Sequence, residues 1–141
     1  MNPQSEQSPE YHSILIVEDD RAVRESLKFS LVIEGFAVRA YEDAEQLLAE
    51  PHLPKFDCLI VDQNLPGMSG LDLVLTLRYR QIKTPAILMT SHPNHSLRDR
   101  AAAAGIPIIE KPLLNSLLDH VRISISDAAK KHPTPNNGHA H

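Results

Sequence analysis

Asp62 stands where the apolar run Cys58-Leu59-Ile60-Val61 breaks into Gln63-Asn64-Leu65-Pro66-Gly67-Met68-Ser69-Gly70, so its carboxylate should be held by a strand yet open to reaction. Other polar residues occupy equivalent places. Glu18 and Asp19 follow Ile14-Leu15-Ile16-Val17, Thr90 follows Ile87-Leu88-Met89, and Lys111-Pro112 comes just after Ile106-Pro107-Ile108-Ile109. If these runs are parallel strands, their carboxyl ends share one edge of a sheet, the edge at which open α/β proteins bind ligands. Carboxylates gathered there repel by roughly 4 kcal/mol per pair at about 4 Å and an effective dielectric near 20, so three of them require a counter-charge. Mg2+ supplies it with hard oxygen ligands and keeps positions open for phosphoryl oxygens. Each residue alone has a plainer reading. Asp19 or Asp20 suits a helix N-cap, Thr90 a strand-end hydroxyl bonded to backbone, Lys111 a solvated charge, and Pro66-Gly67 a turn. Their joint placement is what points to a site.

The elements that must position them alternate between two periods. Ser13 to Val17 reads as a buried strand, and a helix from Asp20 carries Val23, Leu27 and Leu31 on one face until Gly35 stops it. Phe36 to Ala40 is a second strand. Asp43-Ala44-Glu45-Gln46 resembles a capping box that opens a short helix ended by Pro51 and Pro54. Cys58 to Val61 is continuously apolar and should lie centrally in the sheet. Gly70 to Tyr79 forms the third helix, whose Leu73 and Leu77 belong either to the core or to an exposed strip for a partner. Ala86 to Met89 is the fourth strand, Pro93 suits the first turn of a fourth helix that Gly105 ends, and Ile106 to Ile109 is the fifth strand. Pro112 opens the last helix, with Leu114, Leu117, Leu118, Val121 and Ile125 in one stripe. Five βα units predict a three-layer α/β sandwich on a parallel sheet. Residues 1–12 are expected to be a flexible tail, 13–126 the domain, and 127–141 the end of the last helix and a disordered tail.

Composition limits what such a site can serve. The 141 residues suit one domain, with 42% hydrophobic and 23% charged residues, as in soluble globular proteins. A net charge of −4 without a basic run predicts no direct nucleic-acid contact. No apolar stretch is long enough to span a bilayer and no export signal opens the chain, which makes the cytoplasm the expected location. Cys58, the single cysteine, reads as a buried, inert thiol. The eight histidines match no metal-site spacing.

Val17-Glu18-Asp19, Asp62 with Leu65-Pro66-Gly67-Met68-Ser69-Gly70, Thr90, and Lys111-Pro112, in that order, make residues 12–126 resemble a response-regulator receiver domain of two-component signalling. The resemblance implies a flavodoxin-like strand order, 2-1-3-4-5, and phosphorylation of Asp62 by a sensor histidine kinase. In that reading Asp19 and Asp62 ligate Mg2+ directly, Glu18 does so through water, and the Asn64 backbone carbonyl completes the protein ligands. Asp62 is the nucleophile, Lys111 pairs with the transferred charge, and Thr90 donates to a phosphoryl oxygen. Asn64 and His92 flank the path of water to the phosphoryl group and tune its lifetime. Lys111-Pro112 is expected to be a cis peptide.

One position departs from the family. The fifth-strand aromatic that turns with the threonine is Ile108 here, so a switch should run instead through Ser91-His92-Pro93-Asn94 and the fourth helix. The expected role is a stand-alone regulator acting by protein contact, with a downstream target or a histidine phosphotransfer protein in a relay as partner. Receivers often dimerise through the fourth and fifth helices, where Arg98, Asp99, Arg100, Asp119 and Arg122 could supply charges. The chain is not expected to be an enzyme beyond its own phosphorylation and dephosphorylation. An aspartyl-phosphate phosphatase would place a second aspartate where Asn64 stands, and a pseudo-receiver would lack pocket residues that are present.

Overall fold

The computed structural model describes residues 11–111 and 114–131. Ten elements alternate: β1 (Ser13–Val17), α1 (Arg21–Ile33), β2 (Ala37–Tyr41), α2 (Ala44–Leu48), β3 (Cys58–Asp62), α3 (Gly70–Tyr79), β4 (Ala86–Thr90), α4 (His95–Ala103), β5 (Ile108–Glu110) and α5 (Leu114–Lys131). The five strands pair in parallel in the order β2-β1-β3-β4-β5. After β2 the chain crosses back over β1 to form β3. The connections from β1 and β3 therefore diverge, leaving a crevice at their carboxyl ends.

Strand alternation divides the core into two layers. Leu15, Val17, Leu59, Val61 and Leu88 face α2, α3 and α4, where they meet Leu47, Leu71, Val74, Leu77 and Leu97. Ile14, Ile16, Ile60, Ile87 and Met89 face α1 and α5, meeting Leu27, Leu31, Leu117 and Val121. With β1, β3 and β4 covered on both sides, their continuous apolar runs are what the environment demands. Each fully buried aliphatic side chain contributes about 1.5–3 kcal/mol.

Four helices begin at the carboxyl edge with a side-chain cap. Asp20 accepts from Val23 N–H at 3.2 Å, Asp43 from Gln46 N–H at 2.8 Å, Ser69 from Asp72 N–H at 3.2 Å, and Asn94 from Leu97 N–H at 2.8 Å. Each such cap is worth about 1 kcal/mol. They fix the turns on which the polar residues of that edge sit.

Several expectations change in three dimensions. Asn94 rather than Pro93 starts α4, because the Asn94 carboxamide satisfies an N–H that proline cannot. The Gln46 side chain accepts from Glu42 N–H at 2.9 Å, one residue before the cap, so the box is not reciprocal in the usual sense. β2 runs one residue later than Phe36 to Ala40, and β5 pairs only from Ile108, since Ile106 turns inward beneath α4. Leu73 and Leu77 are buried, which removes the exposed strip; Leu75 and Tyr79 are the exposed apolar residues of α3. The last helix continues to Lys131, past Ala128, where the composition shifts toward a tail. Arg100 lies 3.5 Å from Asp72 and Arg122 lies 2.6 Å from Glu34, so both are engaged within the chain. Pro112, and with it the expected cis peptide, lies outside the described residues, as do 1–10 and 132–141.

Candidate functional site at the carboxyl edge of the sheet

Glu18, Asp19, Asp62, Thr90 and Lys111 come from four different strand ends, and the sheet order brings them together. Glu18 continues the β1–β2 ladder, its N–H donating to the Tyr41 carbonyl at 3.1 Å. Asp62 is the last residue of β3, Thr90 the last of β4, and Lys111 N–H donates to the Thr90 carbonyl at 2.9 Å. Glu18 is 0% exposed, Asp62 3% and Thr90 1%, whereas Asp19 is exposed at the rim. Carboxylate oxygens of Glu18, Asp19 and Asp62 all lie within 4.8 Å of one another.

Lys111 binds the two buried acids together. Its Nζ is 2.9 Å from Glu18 Oε1 and 3.3 Å from Asp62 Oδ2. The other Glu18 oxygen accepts from Asp20 N–H at 3.1 Å, and Asp62 Oδ1 accepts from Asn64 N–H at 3.3 Å. Burial pushes the Glu18 carboxyl above its ordinary range, against the lowering effect of the Lys111 and Asp20 hydrogen bonds, and the nearby Asp62 charge adds to the rise. Burial alone would lower the Lys111 amine, but its hydrogen bond to Glu18 and the Asp62 charge outweigh that and raise it. One lysine faces three carboxylates, which leaves a cluster of hard oxygens with excess negative charge. That donor set fits Mg2+.

Two supporting residues were not evident from local sequence, and a third was visible without its reason. Gln63 N–H donates to the Met89 carbonyl at 2.8 Å, while the Gln63 carbonyl and side chain accept from Gly70 N–H at 3.1 Å and Leu71 N–H at 2.8 Å. Gln63 thus ties the start of α3 to the end of β3. Arg24 Nη1 donates to the Glu18 carbonyl at 2.9 Å and lies 3.4 Å from that of Asp19, holding the loop between β1 and α1. Gly70 packs so closely that an added Cβ would collide with the Asp62 carbonyl oxygen. The glycine was visible in the sequence, but its reason is a contact with a residue eight positions earlier.

Beyond Asp62 the edge opens into a polar cleft of about 210 Å3, lined by Gln63, Asn64, Thr90, His92, Asn94 and Arg100 among others. Asn64 and His92 are both exposed there, and His92 N–H donates to the Thr90 hydroxyl at 3.3 Å. Ile108 is half-buried, registers with Leu88 and packs against the layer beneath α4.

Fold and site together define a doubly wound, flavodoxin-like α/β protein with an acid cluster at its switch point. The response regulator receiver domain model matches residues 14–122, and the chain belongs to that family. It is 34% identical over 108 residues to the transcriptional regulatory protein FixJ of Rhizobium meliloti, covering 76% of this chain and 53% of that protein. FixJ of Bradyrhizobium diazoefficiens is 36% identical over 101 residues, covering 70% of this chain and 49% of the relative. The chain thus spans about half the length of these curated relatives. Among solved structures, a CheY-like receiver domain protein from Methanospirillum hungatei superposes with a TM-score of 0.80 at 27% identity, covering 86% of this chain and 99% of that one. The FixJ-N crystal structure superposes with a TM-score of 0.72 at 31% identity, covering 84% and 96%. This is a receiver domain of a response regulator, a phosphoryl-accepting module of two-component signalling. Receiver domains interact with histidine kinases, typically use Mg2+, and are not classical enzymes apart from their own phosphorylation. No helix among the described residues is long and apolar enough to cross a membrane.

Proposed function

We propose that Asp62 accepts a phosphoryl group from a sensor histidine kinase, and that the domain signals by the protein contacts its phosphorylated form makes. The observation that carries this reading is the arrangement of Asp62 at the switch point, with Lys111 Nζ 3.3 Å from its Oδ2 and two further acids within 4.8 Å. A carboxylate oxygen of Asp62 attacks phosphorus in line as the bond to the donor nitrogen breaks, giving an aspartyl phosphate. Asp19, Asp62, the Asn64 carbonyl and, through water, Glu18 would hold Mg2+, whose charge offsets that of the transferred group. Lys111, kept in its charged form by Glu18 and Asp62, turns toward the phosphoryl oxygens. The Thr90 hydroxyl, which accepts from His92 N–H at 3.3 Å, donates to another oxygen.

That last contact links the site to the loop before α4. Drawing Thr90 toward a phosphoryl group pulls on Ser91-His92-Pro93-Asn94, and α4 buries only Leu97 and Ala101, so this helix is the weakly anchored element that can respond. Ile108 takes the place of a ring that would turn. Asn64 and His92, both at the polar cleft, govern water access and the lifetime of the phosphate.

Mass spectrometry after incubation with Mg2+ and acetyl phosphate tests the assignment. Wild type should gain one phosphoryl group, and the gain should vanish in Asp62→Asn and on chelation of Mg2+. An adduct that persists in Asp62→Asn would place the acceptor elsewhere. Transfer of the label to a histidine phosphotransfer protein would make the domain a relay rather than an effector.

A further inference from the structure

A second groove, of about 360 Å3, opens at the opposite edge of the sheet from Asp62, between the loops leading into β4 and β5 and the second half of α5. Small-molecule sites commonly occupy roughly 300–1,000 Å3. Arg78 and Lys83 line it from the end of α3 and the loop that follows, Pro85, Pro107 and Ile123 supply apolar wall, and Asp127 stands on the α5 side. Residues beyond 126 help to close this groove, which is why the extension of α5 to Lys131 matters here.

Arg78 is the informative residue. It is half-buried, and its Nη1 donates to two main-chain carbonyls, those of Ile82 at 3.3 Å and Thr84 at 2.6 Å. Neither Arg78 nor Lys83 has an ion-pair partner among the described residues. Burial pushes the Arg78 guanidinium below its ordinary range. A guanidinium fixed at one nitrogen and lacking a counter-ion keeps the rest of its planar donor fork for an incoming anion. Asp127 is exposed and offsets one of the two positive charges, so these three groups leave the groove cationic on a chain whose net charge is −4.

We propose that this groove binds a small organic anion: a carboxylate, sulfonate or phosphate attached to a compact apolar body. Arg78 and Lys83 take the acidic group, and Pro85, Pro107 and Ile123 pack against the body. A bare inorganic anion lacks the second set of contacts and a neutral isostere lacks the first. The groove sits at the amino ends of β4 and β5, the strands at whose other ends Thr90 and Lys111 stand.

The test is an amide NMR titration of the full chain without Mg2+, using benzenesulfonate as probe with inorganic sulfate and benzenesulfonamide for comparison. Benzenesulfonate should give saturable shifts at Lys83, Ala86, Gly105 and Ser124 at millimolar concentration, with both comparison compounds at least about tenfold weaker. Lys83→Gln should weaken binding by about tenfold. Because Arg78 also ties down its own loop, Ile123→Glu supplies the decisive variant: the position is exposed, the fold should be unchanged, and the probe should be excluded. Absence of saturable shifts, equal binding of benzenesulfonamide, shifts centred instead on Thr90 and Lys111, or unchanged binding in both Lys83→Gln and Ile123→Glu would overturn the proposal.

Discussion

Replacing Gly70 with alanine should displace the proposed phosphoacceptor without altering any group that does chemistry. The new methyl would lie 2.9 Å from the Asp62 main-chain carbon and 2.9 Å from Leu88 Cδ1, and closer still to the Asp62 carbonyl oxygen, where ordinary contact begins at 3.4 Å. Leu88 can shift its side chain. The β3 backbone is less free, because Asp62 registers with Met89 and the next N–H donates to the Met89 carbonyl at 2.8 Å. The start of α3 must therefore retreat by about 1 Å to restore contact distance to that oxygen. That movement strains the Gly70 and Leu71 hydrogen bonds to Gln63, at 3.1 and 2.8 Å. Overpacking costs about 1–3 kcal/mol and each weakened hydrogen bond about 0.5–1.5, while the gain in helix propensity is at most about 1 kcal/mol. We expect a net loss of about 2 kcal/mol in urea unfolding. A misplacement of about 1 Å can cost a hundredfold in rate, so acetyl-phosphate labelling should slow by roughly tenfold. Gly105→Ala is the control: its φ of +70° strains alanine by about 1–2 kcal/mol, but nothing lies within 4 Å of the new methyl, so labelling should be unchanged. Wild-type stability and rate in Gly70→Ala, or an equal slowing in Gly105→Ala, would refute the reasoning.

Asp19→Asn should leave the fold intact, because Asp19 is exposed, yet weaken Mg2+ by at least about tenfold in calorimetric titration, equivalent to about 1.4 kcal/mol. Lys111→Met leaves the Glu18 and Asp62 carboxylates buried without their cation. In EDTA it should lose about 3 kcal/mol in urea unfolding, with a larger recovery on adding Mg2+ than wild type shows. Stability should decline on the alkaline side for two reasons of the same sign. The raised Lys111 value means its contribution is fully present below 10.5 and is lost as pH rises through the higher folded value. Burial, with some help from Asp57, pushes the Cys58 thiol from 9.0 up to about 12, so between those values the unfolded chain releases a proton that the native state keeps. Stability should then fall by up to about 1.4 kcal/mol per pH unit, and Cys58→Ala should remove that part of the slope in unfolding measured from about pH 8 to 11. A Cys58→Ala profile identical to wild type would show that the thiol does not titrate in this way.

Much of the fold is legible because its signals are local. The helix from Asp20 follows from Val23, Leu27 and Leu31 on one face with Gly35 at its end, and Asp20, Asp43 and Ser69 cap within three residues of the N–H groups they satisfy. The same local reading misplaces the start of α4, because Pro93 suits a first turn by geometry but only Asn94 has an acceptor to offer. It also leaves Leu73 and Leu77 undecided, since periodicity states that a residue is apolar without stating whether another layer covers it. At the site, the five residues at four strand ends were readable; Gln63 and Arg24 were not, because their partners are main-chain atoms that only the folded loops bring within reach.

The sequence alone therefore determined where the strands lie to within about two residues, the apolar stripes of α1 and α5, and which acids, hydroxyl and amine end the strands, because each depends on neighbours a few residues away. Tertiary structure decided that Lys111 reaches Glu18, 93 positions distant, as well as Asp62. It also decided that Arg78 is half-buried against the carbonyls of Ile82 and Thr84, and that Asp19 is exposed while Glu18 is not. Burial and partner choice arise from the order in which strands pair and helices cover them, and no local run of residues carries that order.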